Sequence, residues 1–131
     1  MPQDEIVRIL LRQWASHMAM PVWIANQDEE LVYYNEAAEV LLGRRFDEAG
    51  QMPLRELPAM FNLTTDDGVT LRLEDFPLAV AHRERSPAHL RVRYQALDGI
   101  WRRVDVTAFP IERTGGRDLG AVAVFWEAPE P

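Results

Sequence analysis

The chain contains no cysteine among its 131 residues. That absence excludes disulfides, thiolate nucleophiles, thiolate metal sites and any cysteinyl bond to a cofactor. Lysine is also missing: all 14 basic residues are arginine, scattered among 21 Asp and Glu. The net charge of -7 argues against a nucleic-acid surface, because phosphate binding draws on clustered positive charge. No apolar run approaches the roughly 20 residues of a membrane span. The N-terminus is acidic where a signal peptide is basic. A cytoplasmic protein with neither membrane nor nucleic acid as partner is expected. The chain also lacks a glycine-rich phosphate loop and His-x-x-x-His or Glu-x-x-His metal spacing, and Ser16 and Ser86 sit in no nucleophile elbow. No catalytic residue and no metal site are assigned, and the paired acids Asp66-Asp67 and Glu74-Asp75 are explained by turn formation and helix capping.

What is present is enough apolar residue, 47% of the chain, for one core. Pro21 to Gly43 organises it. Val22, Trp23 and Ile24 form a β-prone run, Asn26 to Glu30 supplies a reversal, and Leu31 to Tyr34 resumes the strand pattern. Asn35 is placed to cap a helix with Glu36 in its first turn; Ala37, Ala38, Val40, Leu41 and Leu42 give it an apolar side, and Gly43 stops it.

Residues 4–18 predict a helix capped by Asp4. Ile6, Val7, Leu10, Leu11, Trp14, Ala15 and Met18 cover about half its circumference, wider than the roughly 100° stripe one surface needs. Two burial partners follow: the sheet and, as one reading, a second copy of the chain. His17 lies at the edge of the stripe as an ordinary boundary histidine. Pro53 and Pro58 limit residues 44–63 to short, loosely packed turns at Leu54 to Leu57 and Ala59 to Phe61. A turn at Thr64 to Gly68 precedes an extended Val69 to Leu73, and Glu74-Asp75-Phe76-Pro77 opens a helix to about Arg83. From Ala88 the period is two: Leu90, Val92 and Tyr94 alternate with His89, Arg91, Arg93 and Gln95. Leu97-Asp98-Gly99 turns the chain, and Trp101 to Phe109 returns until Pro110. After a loop at Thr114 to Asp118, Gly120 to Trp126 is apolar throughout, a strand covered on both faces.

The order helix, two strands, short helices, three strands predicts an α+β fold with a five-stranded antiparallel sheet. Its motifs resemble a PAS domain. The carrying residues are Asn26-Gln27-Asp28-Glu29 with Leu31 to Asn35, Glu74 to Ala81, Leu97 to Arg102 with Val106 to Pro110, and Gly120 to Phe125. The resemblance implies strand order 2-1-5-4-3, short helices on one face and the N-terminal helix on the other. It divides the chain into a cap or dimerisation helix at 1–20, a PAS domain at 21–127 and an unstructured tail at 128–131. Glu29 stands where the family has a turn glycine, so a positive φ there would carry strain. The family's coupling motif after the last strand is replaced by Glu127-Ala128-Pro129, and no kinase, cyclase or DNA-binding segment follows within these residues.

The resemblance implies a non-enzymatic sensor or interaction module holding any ligand between sheet and helices. Tyr34, Phe61, Phe76, Leu78, His82, Tyr94, Phe109 and Trp126 are the candidate pocket, suited to a small apolar molecule, with Arg91 and Arg93 as solvated strand arginines or partners for an acidic head group. Its cofactor is not identified. Missing cysteine excludes a covalent flavin adduct and a thioester chromophore, and a non-covalent flavin has no signature. Haem-binding PAS domains take an axial histidine from the helix that holds His82; the preferred reading is a histidine hydrogen-bonded to a carbonyl, Glu84 or water. Output passes through a homodimer on Ile6, Val7, Leu10, Leu11, Trp14 and Met18, or through a separate effector protein. The alternative is a ketosteroid-isomerase-like enzyme using a pocket carboxylate such as Asp105.

Overall fold

Apolar runs on either side of the Asn26 to Glu30 reversal pair as β1 (Val22–Ala25) and β2 (Glu30–Tyr34) in a computed structural model describing residues 3–43, 45–96, 98–113 and 117–128. The register slips between Ile24 and Ala25, so Val32 is left without a partner in a bulge. The three later strands are β5 (Ala88–Gln95), β6 (Trp101–Arg113) and β7 (Arg117–Glu127). β7 lies in the middle, with Val22 opposite Val124 and Ala108 opposite Ala123. The five strands run in the expected order β2-β1-β7-β6-β5. Two-residue edge strands, β3 (Met52–Pro53) and β4 (Thr64–Thr65), extend the sheet to seven.

Helices α2 (Glu36–Leu42), α3 (Phe46–Ala49), α4 (Leu57–Met60) and α5 (Pro77–Glu84) are the short ones, with 3-10 turns at Leu54–Glu56 and Leu73–Asp75. Leu42, Leu54, Leu57, Phe61 and Leu78 are buried against Trp23, Tyr34, Val92, Tyr94, Val104 and Phe125 of the sheet. The segment expected to pack loosely is therefore core: Leu54 and Leu57 are wholly buried. α1 (Gln3–Ser16) crosses the opposite face, where Leu11, Ala15 and Met18 meet Val22, Ile24, Val32, Tyr33, Val122 and Val124. It begins at Gln3, so Asp4 lies inside its first turn rather than at the cap. Among the described residues no helix is long and apolar enough to cross a membrane.

The expectation that Pro110 ends its strand is corrected. β6 continues to Arg113 because β5 pairs it only as far as Ala108. Beyond that point one side of β6 is an edge, where a missing amide donor breaks no ladder. Val69 to Leu73 forms no strand; Thr70 makes one isolated bridge to Thr64, in the stretch expected to be only a turn. Gly120, at φ +114, admits no other residue, since an added Cβ would overlap the Ala25 carbonyl where β1 crosses β7. Ala128, assigned to the tail, is buried, and its N–H donates to the Arg103 carbonyl at 2.8 Å; residues 129–131 lie outside the described residues, as do Leu97 and 114–116 of the expected turns.

Asn35 joins the layers. Its Oδ1 accepts from the N–H of Ala38, capping α2 as expected, and from that of Val22 on β1, both at 3.0 Å. Its Nδ2 donates to the carbonyls of Ala15 and Met20 at 2.9 Å, with Met18 farther at 3.4 Å. The residue is 1% exposed, so one amide satisfies orphan groups at the end of α1, on β1 and at the start of α2.

Candidate functional site

The space between sheet and helices is almost filled. A cavity of about 20 Å³ remains, bordered by Trp23, Phe61, Phe76, Val92, Tyr94 and Phe125 among others. It has room for about one water molecule and none for an organic ligand. Trp23 packs edge-on against Phe125 at 5.1 Å and tilted against Phe76 at 5.9 Å. Its indole N–H meets no acceptor among the described residues. Tyr94 donates its hydroxyl to the Leu41 carbonyl at 3.0 Å, and burial pushes its phenol pKa up.

Of the expected pocket residues, Phe61, Phe76 and Tyr94 border this cavity, while Tyr34 and Leu78 are buried in the same cluster. The other three lie elsewhere. On β6 the side chains of Val104, Val106 and Ala108 turn inward, so Phe109 turns out and is 38% exposed. On β7 Phe125 turns inward and Trp126 outward, where its ring stands 6.3 Å from that of His89. Neither reaches the core.

His82 sits on the outer side of α5 and fastens three segments. Its Nδ1 lies 3.1 Å from Glu29 Oε2 in the β1–β2 turn, and its Nε2 lies 2.6 Å from Asp118 Oδ2 on β7. Each ring nitrogen faces a carboxylate oxygen, so the arrangement is fully hydrogen-bonded when both carry hydrogen. No ring nitrogen is left for a haem iron here. The partners are the two carboxylates rather than a carbonyl or Glu84. Glu29 also accepts from Arg83 Nε and Nη2 at 2.8 and 2.7 Å, and the Arg83 guanidinium, more than the His82 contact, lowers its carboxyl pKa. Glu29 holds these contacts at φ +57, the left-handed conformation its place in the turn demanded.

The outer face of β5 and β6 is a lattice of ion pairs. Arg91 grips Asp105 with two bonds of 2.9 and 3.0 Å, and Arg103 grips Asp66 at 2.7 and 2.8 Å; Arg93 stands 3.6 Å from Asp66. These arginines hold the carboxyl pKa of Asp105 and of Asp66 below the usual range, as Arg102 does for Asp98. Asp105, 7% exposed, is thus held by Arg91 on the outer face of β6 and does not face the inner cavity, where the isomerase alternative placed a carboxylate such as this one. Among the described residues no group of three or more His, Asp or Glu is gathered as a metal site.

The α1 stripe divides. Val7, Leu11 and Met18 are half-buried towards the sheet, whereas Ile6, Leu10 and Trp14 are 41%, 59% and 42% exposed, in company with Ile9. Beneath the helix, between Val7, Leu11 and Arg12 on one side and Ile24, Val32, Ile111 and Leu119 on the other, lies a cleft of about 300 Å³. No residue of the expected pocket borders it; Val7 and Leu11, which do, were assigned to the dimer stripe.

No family model matches the sequence, and no curated protein matches it. Solved structures do. The PAS domain of a Colwellia psychrerythraea protein superposes with TM-score 0.67 at 15% identity, over 94% of this chain and 97% of that one. The PAS domain of Bordetella pertussis BvgS gives 0.64 at 13%, over 95% and 87%. That of nitrogen regulation protein NR(II) from Vibrio parahaemolyticus gives 0.62 at 18%, over 91% and 98%. The chain has the fold of a PAS domain, as its motif order implied.

Glu29→Gly sets two effects against each other. It relieves left-handed strain of about 1–2 kcal/mol and removes bonds to His82 and Arg83, each worth about 1.5–3 kcal/mol where shielded and less at the half-exposed Arg83. The variant should be destabilised by about 1–2 kcal/mol net in urea unfolding; a stabilised variant means the contacts do not offset the strain. The arginine-lowered carboxylates Glu29, Asp66, Asp98 and Asp105 contribute stability that is fully present above the ordinary carboxylate range near pH 4. It is lost as pH falls through their lower folded values. The urea midpoint should therefore drop between pH 5 and pH 3, and an unchanged midpoint contradicts these pairings.

Proposed function

We propose that the chain is a non-enzymatic sensory or interaction module of the cytoplasm that transmits its state by pairing with a second copy through α1. The observation that carries this reading is the ridge of Ile6, Leu10 and Trp14, spaced four residues apart and exposed on a helix whose other side already packs on the sheet. A contiguous exposed apolar ridge is a contact surface before it is anything else. Its self-complementary form on one helix suits a two-fold seam. Val7, Leu11 and Met18, expected in the seam, would instead hold α1 to its own sheet. A separate effector protein docking on the same ridge is the other partner of this kind.

Support for a module without catalysis comes from Asp105, the carboxylate that sequence reasoning offered for chemistry, which is held by Arg91. The inner core leaves no room for a substrate in this conformation.

Sedimentation equilibrium tests the seam. Wild type should sediment as a dimer, and Leu10→Glu, at a 59% exposed position that leaves the core untouched, should weaken it by about 100-fold or more. A wild-type monomer, or a Leu10→Glu dimer of unchanged strength, contradicts the proposal.

A further inference from the structure

The cleft beneath α1, about 300 Å³, has some fifteen times the volume of the inner cavity and lies against the outer face of the sheet. Its size reaches the lower end of the range of about 300–1,000 Å³ typical of small-ligand sites. Three features build it. The bulge at Val32 turns both Val32 and Tyr33 towards α1, which widens the sheet surface under the helix. Ile24, Ile111 and Leu119 supply an apolar floor, and Val7 and Leu11 an apolar roof. Arg12 is the charged side chain at its wall. Its guanidinium lies 4.7 Å above the Tyr33 ring, and among the described residues no carboxylate pairs with it. A guanidinium over an aromatic ring still has N–H groups to offer an acceptor. Asn26, also at the wall, has its amide engaged: Oδ1 accepts from the N–H of Asp28 and of Glu30, and Nδ2 donates to the Glu30 carboxylate. Gln51 borders the cleft as well, so its polar wall is the Arg12 guanidinium with a neutral amide in addition, and its one charge is cationic.

We infer that this cleft, on the side of the sheet away from the short helices, is the ligand site of the module, and that it takes a small molecule with an apolar body and one carboxylate seated on Arg12. Apolar walls reward burial of a hydrocarbon or aryl body, and the guanidinium, without a carboxylate partner among the described residues, selects the acid. The inference deepens the reading above and rests on it for one consequence only. The roof of the cleft and the exposed ridge belong to the same helix, so a guest that reseats Val7 and Leu11 also moves Ile6, Leu10 and Trp14.

The test is a titration of methyl-labelled wild-type protein with sodium decanoate and, separately, with decanol, followed by NMR. Decanoate should give saturable, one-to-one shifts at the methyls of Val7, Leu11, Ile24, Val32 and Ile111, and leave Leu42, Leu63, Val92 and Val104 of the inner cavity unmoved. Arg12→Gln, an exposed helical position, should weaken decanoate about tenfold and leave decanol within twofold. Non-saturating shifts, shifts at the inner set, or an Arg12→Gln variant that binds decanoate as wild type does each overturn the site. Sedimentation of the ligand-free protein tests the seam independently. A monomer that still shows these methyl shifts upholds the cleft while removing the dimer.

Discussion

A single buried amide fixes how the outer helix meets the fold. Asn35 spends its oxygen on the amides of Val22 and Ala38 and its nitrogen on the carbonyls of Ala15 and Met20. The amides of Val22 and Ala38 open β1 and α2, the Ala15 carbonyl lies at the end of α1, where it also accepts from the Met18 N–H, and Met20 lies in the connection between α1 and β1. Burial makes the arrangement all or nothing, because an unmade bond inside a protein costs about 1–3 kcal/mol whereas a made one gains less. Asn is the residue that can serve both ends: Asp would keep the acceptor and lose the donors, and Ser would not reach three segments. The consequence is that α1, which packs Leu11 and Ala15 on the sheet with Met18 just beyond its end, is held in a defined place at its C-terminal end. Its N-terminal half leans on Val7 and the cleft below.

The two faces of the sheet therefore differ in kind. On the inner face aromatic rings and leucines close around Trp23 and leave little volume, which makes that side a framework. On the outer face a helix pinned at one end covers a cleft and exposes a second apolar ridge. Elements with few buried contacts are the ones that move at low cost, and signalling devices are drawn from them. The ion pairs around Glu29, His82 and Asp118 complement this division. They tie the turn after β1, the helix α5 and the start of β7 together.

Much of this was legible in the sequence wherever a local rule decided the outcome. The Asn35 cap and the Gly43 stop, with Gly43 at φ 80, follow from helix-end chemistry, and the alternation of Leu90, Val92 and Tyr94 gave β5 its inward side. The same alternation, carried one residue past Ala108 and Phe125, would have sent Phe109 and Trp126 outward. They were drawn into the pocket by size and aromatic character, properties that do not encode direction. Glu29 in a glycine position signalled strain, but its partners lie 53 and 54 residues away and no local pattern names them. The α1 stripe was wider than the sheet covers, but its width did not say which side chains stay exposed. Cavity volumes were beyond reach, because a gap depends on how several elements pack and not on any one of them.

The central claim is that Asn35 ties α1 to the domain through its donors and caps α2 through its acceptor. Hydrogen–deuterium exchange on Asn35→Asp separates the two, since the carboxylate keeps the Ala38 and Val22 bonds but has no hydrogen for the carbonyls of Ala15 and Met20. The account predicts that amides of α1 lose their protection while those of α2 and β1 keep theirs. Unchanged protection in α1, or simultaneous loss in α1 and α2, would contradict it.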